Sequence, residues 1–303
     1  MGSKRGTPPV DCLIVGAGPA GLTAATYLGR FLRTVTVIDA GESRLKRVPV
    51  SHNIPGFPGG VAGKVLHERM LEQAITYGAS LIEGRVNQIE TDEEGFRISW
   101  GGGLVVARTV LLATGVNVID PDVAGLEAAI QKGVIRYCPI CDGFEAARRR
   151  VAVLGTRSRS IDEAHFLRTY SNDVTFATLQ GAVPPTSEEV AVARRAGIQI
   201  EDRACAGLTL VEDKIRLEFA TGASATFDVV YPCLGSEPRS ELARAVGATL
   251  SKDDELLTNK HQQTNVPGLF AAGDVLRGLD QVASACGQAA IAATAMHNLL
   301  RTR

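Results

Sequence analysis

Apolar positions in this chain come in short runs, and the runs recur in a fixed order. Val10-Asp-Cys-Leu-Ile-Val15 is an apolar run of strand length, ended by Gly16-Ala-Gly-Pro-Ala-Gly21. Residues 22–31 then predict a helix, and residues 34–38 a second strand that closes on Asp39. An amphipathic helix is expected over about 65–77, followed by strands near 80–90, 95–100, 104–107 and 109–113. Tight turns at Glu93-Glu94-Gly95 and Gly101-Gly-Gly103 make these strands a small meander. The order then repeats. A strand over 151–155 ends in glycine, a helix covers 161–170 and a strand 173–179, and a meander follows at 208–211, 214–219 and 226–231. A helix over 241–246, strands over 255–257 and 269–272, and a helix over 281–300 complete the pattern. Strands alternating with helices predict parallel sheets with helices on both faces.

The first strand–turn–helix carries a mechanism. Gly16 permits the tight turn, Gly18 leaves no side chain where a pyrophosphate must approach, and Gly21 lets helix and strand pack closely. Pro19 suits the first helical turn, where its missing N–H is not needed. Asp39 ends the second strand, where an acid meets a ribose hydroxyl. Strand, glycines, helix, strand and acid in this order read as a dinucleotide fold. The second unit departs from it: Arg157 and Ser160 stand where glycine and a small residue are wanted, and Ala177-Thr-Leu-Gln180 offers neither a ribose acid nor a phosphate arginine. That unit reads as scaffold; the competing reading gives Arg157 the phosphate itself. The fold class is therefore α/β, with two nucleotide-binding, Rossmann-like three-layer domains, each with a β-meander. The second is inserted into the first: 1–118 and 248–303 form one domain, 119–247 the other.

Composition narrows the function. A net charge of −1 gives no reason to expect nucleic acid or an anionic membrane as partner. No apolar run approaches the roughly 18 residues of a membrane helix. The opening nine residues read as a frayed tail, not a secretory signal. Six cysteines are too few for a disulfide scaffold, and four of them, Cys12, Cys205, Cys233 and Cys286, are scattered. This fits a reducing cytoplasm with one working pair.

That pair is Cys138 and Cys141, in Arg136-Tyr-Cys-Pro-Ile-Cys-Asp-Gly-Phe144. Two sulfurs at this spacing can close a small ring and cycle between dithiol and disulfide, and Asp142 beside them can move a proton. Half of a zinc site is the competing reading, but zinc takes about four ligands and no second pair has metal spacing.

Gly16-Ala-Gly-Pro-Ala-Gly21, Ala113-Thr-Gly115, Cys138-Pro-Ile-Cys-Asp142, Ala271-Ala-Gly-Asp274 and Gln281-Val-Ala283 together resemble the low-molecular-weight thioredoxin reductase family of flavoproteins. The resemblance implies FAD in the first fold and a homodimer. By it, Gly16, Gly18, Pro19, Ala20 and Gly21 hold the pyrophosphate, Asp39 the ribose, and Val86 lies near the adenine. Asn53, Thr114, Gly115, Gly273, Asp274, Gln281, Val282 and Ala283 surround the ribitol and ring. Cys141 faces the flavin, Cys138 attacks the partner's disulfide, and Asp142 moves protons. The implied partner is a thioredoxin-like protein or a small dithiol or disulfide. The departures in the second unit put nicotinamide use in doubt and leave ferredoxin as another donor; a dithiol oxidase passing electrons to oxygen is the alternative activity. Arg44-Leu-Lys-Arg47 also replaces the family's usual glycine–glutamine turn.

Overall fold

The computed structural model describes residues 9–93 and 95–302, with the side chains at 92 and 157–159 excepted. The expected frayed tail falls almost entirely on residues 1–8, outside the described residues. The chain opens with strand β1 (Val10–Val15), helix α1 (Pro19–Arg30), strand β2 (Val35–Asp39), a 3-10 turn (Arg44–Arg47), helix α2 (Gly63–Thr76) and strand β3 (Ser80–Glu83). The meander β4 (Val86–Asp92), β5 (Gly95–Trp100) and β6 (Gly103–Leu112) follows. Short strands β7 (Val116–Val118) and β8 (Val123–Ala124) precede helices α3 (Leu126–Gln131) and α4 (Pro139–Asp142). Then come β9 (Arg150–Gly155), α5 (Arg157–Leu167), β10 (Asp173–Leu179), α6 (Ser187–Arg195), β11 (Gln199–Val211), β12 (Lys214–Phe219), β13 (Ser224–Phe227), β14 (Val229–Cys233) and β15 (Ser236–Pro238). Helix α7 (Glu241–Ala245), strand β16 (Leu269–Ala271) and helix α8 (Val282–Arg301) end the chain.

Two compact units result: Met1–Lys46, Gly63–Asn117 and Glu237–Arg303 form one; Arg47–Ala62 and Val118–Ser236 form the other. The first is built on a sheet of order β3-β2-β1-β6-β5-β4, with β16 also paired to β6. β1, β2, β3, β6 and β16 pair in parallel, whereas β4 and β5 join antiparallel. One face packs on α1 and α8 through Ile14, Leu22, Leu28, Ala289, Ala293 and their neighbours. The other face packs Leu13, Ile98, Val110 and Leu269 against the meander and Val275. Three layers follow from strands that are apolar on both faces.

The two strands expected at 104–107 and 109–113 are one. β6 pairs antiparallel with β5 through Ala107 and parallel with β1 from Ala107 onward, so a single strand serves both meander and parallel core. In the parallel core, Val15 pairs with Ile38 and with Leu112, and Ala271 with Leu112. The glycine turn, Asp39, Ala113-Thr-Gly115 and Gly273-Asp274 therefore leave the sheet at the same carboxyl edge, where open α/β sheets hold ligands.

The second unit repeats the plan, with order β13-β12-β11-β10-β9-β14 and β8 paired to β11. Its helix α5 begins at Arg157, four residues before the expected start, and α6 was not expected. No helix among the described residues is long and apolar enough to cross a membrane.

Candidate active site

In the first unit, packing decides which glycines are needed and which leave room. Gly16 has φ +101°, and a Cβ there would lie 2.4 Å from the Ala113 carbonyl oxygen. A Cβ on Gly21 would lie 1.9 Å from the carbonyl oxygen of Gly16. These two glycines press the turn, β6's end and α1 together. Gly18 differs: a Cβ there would meet only Ser43 Oγ, at 3.8 Å, so its missing side chain leaves open space at the head of α1. No side chain caps that helix and Pro19 occupies its first turn, so its leading N–H groups have no side-chain acceptor.

Two side chains hold the turn. Ala17 N–H donates to Asp39 Oδ1 at 2.9 Å, and Gly41 N–H donates to Oδ2 at 3.1 Å. From behind, the buried His67 ring donates Nε2–H to the Ala17 carbonyl at 2.8 Å. Burial pushes this imidazole's pKa down, which keeps it neutral and suited to that donor role.

Thr114, Gly115, Gly273 and Asp274 follow the strands that end at this edge. Thr114 Oγ1–H donates to the Arg239 carbonyl at 2.7 Å, and the Gly115 carbonyl accepts Arg239 N–H at 2.9 Å. Gly273 has φ +84°; its N–H donates to Gln288 Oε1 at 2.8 Å, and a Cβ on it would come 3.1 Å from Ala20 Cβ. Gly273 and Asp274 thus stand beside the first turn of α1. Asp274 is pushed up by burial and drawn down by Arg44, whose Nη1 lies 2.9 Å from Oδ2. Gln281 is the N-cap of α8, with Val282 and Ala283 in its first turn. Val86 opens β4 and is buried against the meander face. Asn53 lies on Arg47–Ala62, which belongs to the second unit. Cys286, in α8, accepts a hydrogen bond from Thr23 Oγ1 at 3.2 Å, and burial raises its pKa; it reads as packing.

An open groove at Gly18, an uncapped helix start and a ribose acid with lone pairs to spare fit the diphosphate and ribose of FAD. The chemistry of that donor set is backbone N–H toward anion and carboxylate toward hydroxyl.

In the second unit, Cys138 and Cys141 are joined as a disulfide, with Cα atoms 5.2 Å apart. Cys138 is the N-cap of α4 and Pro139 its buried first residue. Cys141 N–H donates to Cys138 Sγ at 3.1 Å. A Cβ on Gly143 would lie 2.5 Å from the Pro139 carbonyl oxygen and 2.6 Å from the Tyr170 ring, so only glycine seats α4 this tightly.

Asp142 is held by two residues to which the sequence reading gave no role. Tyr231, fully buried on strand β14, donates its O–H to Oδ1 at 2.9 Å. Arg136 Nη1 lies 3.3 Å from Oδ2. Burial raises the Asp142 pKa; Arg136 and the Tyr231 hydrogen bond oppose it. An acid raised this way keeps its proton to higher pH. Tyr231→Phe removes the donor that favours the carboxylate, so the Asp142 titration is expected to move to still higher pH. Leaving that half-buried oxygen without its donor also costs about 1 kcal/mol of stability. Carbonyl-region infrared titration and urea unfolding of the variant measure the two effects.

The turn of the second nucleotide unit is closed on itself. A Cβ on Gly155 would lie 1.9 Å from Ser160 Oγ, so that hydroxyl fills the space under the turn. Ser160 Oγ accepts Thr156 N–H at 3.1 Å and lies 3.2 Å from the Cys233 carbonyl oxygen, to which it donates. A loop amide of the kind that faces a pyrophosphate is thereby used internally. The Arg157 side chain lies outside the described residues. Alongside, Cys233 Sγ–H donates to Glu163 Oε2 at 2.6 Å.

Comparison with known proteins places this geometry. The model of the pyridine nucleotide-disulphide oxidoreductase family matches residues 10–289. A thioredoxin reductase of Peptoclostridium acidaminophilum is 29% identical, over 94% of this chain and 95% of that protein. Among solved structures, thioredoxin reductase from Streptococcus pyogenes superposes with a TM-score of 0.89 at 25% identity, over 97% of this chain and 99% of that one. The atypical thioredoxin reductase TRi from Desulfovibrio vulgaris Hildenborough is 31% identical, over 98% of this chain and 99% of that one, with a TM-score of 0.55.

Proposed function

Because the chain belongs to the pyridine nucleotide-disulphide oxidoreductase family, we propose that it moves electrons between FAD and the Cys138–Cys141 disulfide, and on to a thioredoxin-like protein, without nicotinamide as its efficient donor. The chain is a flavin-dependent disulfide oxidoreductase of the thioredoxin reductase type, and FAD is its cofactor. The observation that carries the finer reading is the closed turn at Thr156 and Ser160.

FAD supplies two-electron chemistry when bound. Gly16, Gly18, Pro19, Ala20, Gly21 and Asp39 would hold its diphosphate and ribose; Thr114, Gly115, Gly273, Asp274, Gln281, Val282 and Ala283 would line its ribitol and ring, with Val86 by the adenine. Two electrons and two protons open Cys138–Cys141 to a dithiol. Cys138 loses its proton and attacks the partner's disulfide, forming a mixed disulfide and releasing one partner thiolate. Cys141 then attacks Cys138 Sγ, which re-forms the pair and frees the second partner thiolate. Those thiolates take up two protons, and Asp142 moves the protons at this site. The Cys141 N–H that reaches Cys138 Sγ stabilises a thiolate there, which supports Cys138 as the attacking sulfur and leaves Cys141 for the flavin. A central domain of residues 119–247 that carries the cysteine pair, the homodimer and the cytoplasmic setting belong to the same proposal.

The closed turn also supports a second reading, in which electrons enter at the thiols of a small dithiol and leave through oxygen, giving disulfide and peroxide. Anaerobic flavin reduction by NADPH, NADH, reduced ferredoxin and dithiol, compared side by side, tests both. Reduction by NADPH is expected to be at least about 100-fold slower than by the best of the others, as the loss of a few charge-assisted phosphate contacts predicts. Rapid bleaching by low-micromolar NADPH would overturn the proposal, and stoichiometric peroxide from dithiol in air would favour the second reading.

A further inference from the structure

We infer that Ser43 and Arg44 are diphosphate ligands of the FAD site, supplied by the segment in which this chain departs from the glycine–glutamine turn. The segment is anchored from outside. Glu42 pairs with Arg85 through one carboxylate oxygen and with Arg239 through the other, at 3.1 Å. Leu45 is buried, and Lys46 N–H donates to the Ser43 carbonyl at 3.1 Å. With 42 and 45 fixed, residues 43 and 44 face the head of α1.

Two independent features there call for an anion. Ser43 Oγ is buried and has no hydrogen-bond partner, yet it lies 3.8 Å from where a Gly18 Cβ would stand. A buried hydroxyl without a partner is costly and rare; an oxygen of a diphosphate lying over Gly18 would give it one. Arg44 meets Asp274 beside Gly273, which in turn abuts Ala20. The guanidinium therefore stands at the same helix head. It has five N–H donors, of which the Asp274 contact uses one. A half-buried carboxylate at the edge of a diphosphate site would repel the ligand, and a cation placed on that carboxylate removes the repulsion while offering its remaining donors to the phosphates. The helix head, the Ser43 hydroxyl and the Arg44 fork together surround the place that Gly18 leaves open.

The inference rests on FAD as cofactor and is indifferent to the electron donor. Its test is the rate at which FAD fluorescence appears when full-length holoprotein is diluted, measured across a range of salt concentrations. Ser43→Ala is expected to release FAD about 3–10-fold faster and Arg44→Gln about 10–100-fold faster, as the loss of a neutral and of a charged donor to phosphate implies. Arg44→Gln should also flatten the salt dependence. Ser43 Oγ makes no hydrogen bond to the protein, so its alanine variant should keep the parent's melting profile in saturating FAD. Release from Ser43→Ala at the parent rate, or an Arg44→Gln effect with the parent's salt dependence, would overturn the assignment.

Discussion

Gly18→Ala should fold normally and lose its yellow colour, whereas Gly21→Ala should lose both fold and colour. The two substitutions add the same methyl group three residues apart. At Gly18 the methyl has ordinary clearance, 3.8 Å from Ser43 Oγ, and the backbone φ of −75° suits alanine. Nothing in the protein must move, but the methyl occupies the ground a diphosphate needs. At Gly21 the methyl would fall 1.9 Å from the Gly16 carbonyl oxygen. That oxygen cannot retreat, because Gly16 N–H is bonded to the Ile38 carbonyl at 2.8 Å and Gly16 itself is wedged against Ala113. Overpacking of this kind costs about 1–3 kcal/mol, more where the obstacle is backbone, and total stability is only about 5–15 kcal/mol. Circular dichroism melting reports the fold and visible absorbance the flavin. Equal melting points for the two variants, or a fully yellow Gly18→Ala protein, would show that the turn does not carry the diphosphate.

That contrast also marks how far the sequence could be read. The run Val10–Val15, its glycines and Asp39 are local and mutually consistent, so the first strand, helix and strand were legible with only their ends displaced: α1 starts at Pro19 and β2 at Val35. Three elements were harder. β11 runs from Gln199 to Val211 with a bulge and no regular alternation of buried positions, so only its end, 208–211, was anticipated. The stretch expected as one strand over 226–231 is two, because the chain turns at Asp228, whose carboxylate accepts the Arg150 N–H at 2.9 Å. Helix α6 did leave a signal: Thr186 and Glu189 form a reciprocal capping box of the type Thr-x-x-Glu. At the site, residue types were legible but partners were not. Tyr231 reaches Asp142 across 89 positions, and His67 reaches Ala17 across 50. Neither tyrosine nor histidine carries a local pattern that points to such a contact; Tyr231 on β14 and His67 on α2 meet their partners only through tertiary packing.

The assignment of roles within the disulfide makes the remaining prediction. Either Cys138→Ser or Cys141→Ser should lower disulfide turnover by about 10³-fold or more, since a covalent step loses its nucleophile or its resolving partner. The two variants should nevertheless behave differently toward a partner. With Cys141 replaced, Cys138 can still attack, but no second thiol follows, so a mixed disulfide with the partner accumulates and is visible on a non-reducing gel. With Cys138 replaced, the remaining thiol sits inside α4, a residue before Asp142, and lacks the Cys141 N–H that reaches Cys138 Sγ at 3.1 Å. Hydrogen bonding to a thiolate lowers its pKa and raises its population, so Cys138 holds the advantage as nucleophile. Ile140, between the two cysteines, and Phe144, just after Gly143, are exposed and give an incoming partner apolar surface. Trapping by the Cys138→Ser variant and none by Cys141→Ser would exchange the two roles, and with them the sulfur that serves the flavin.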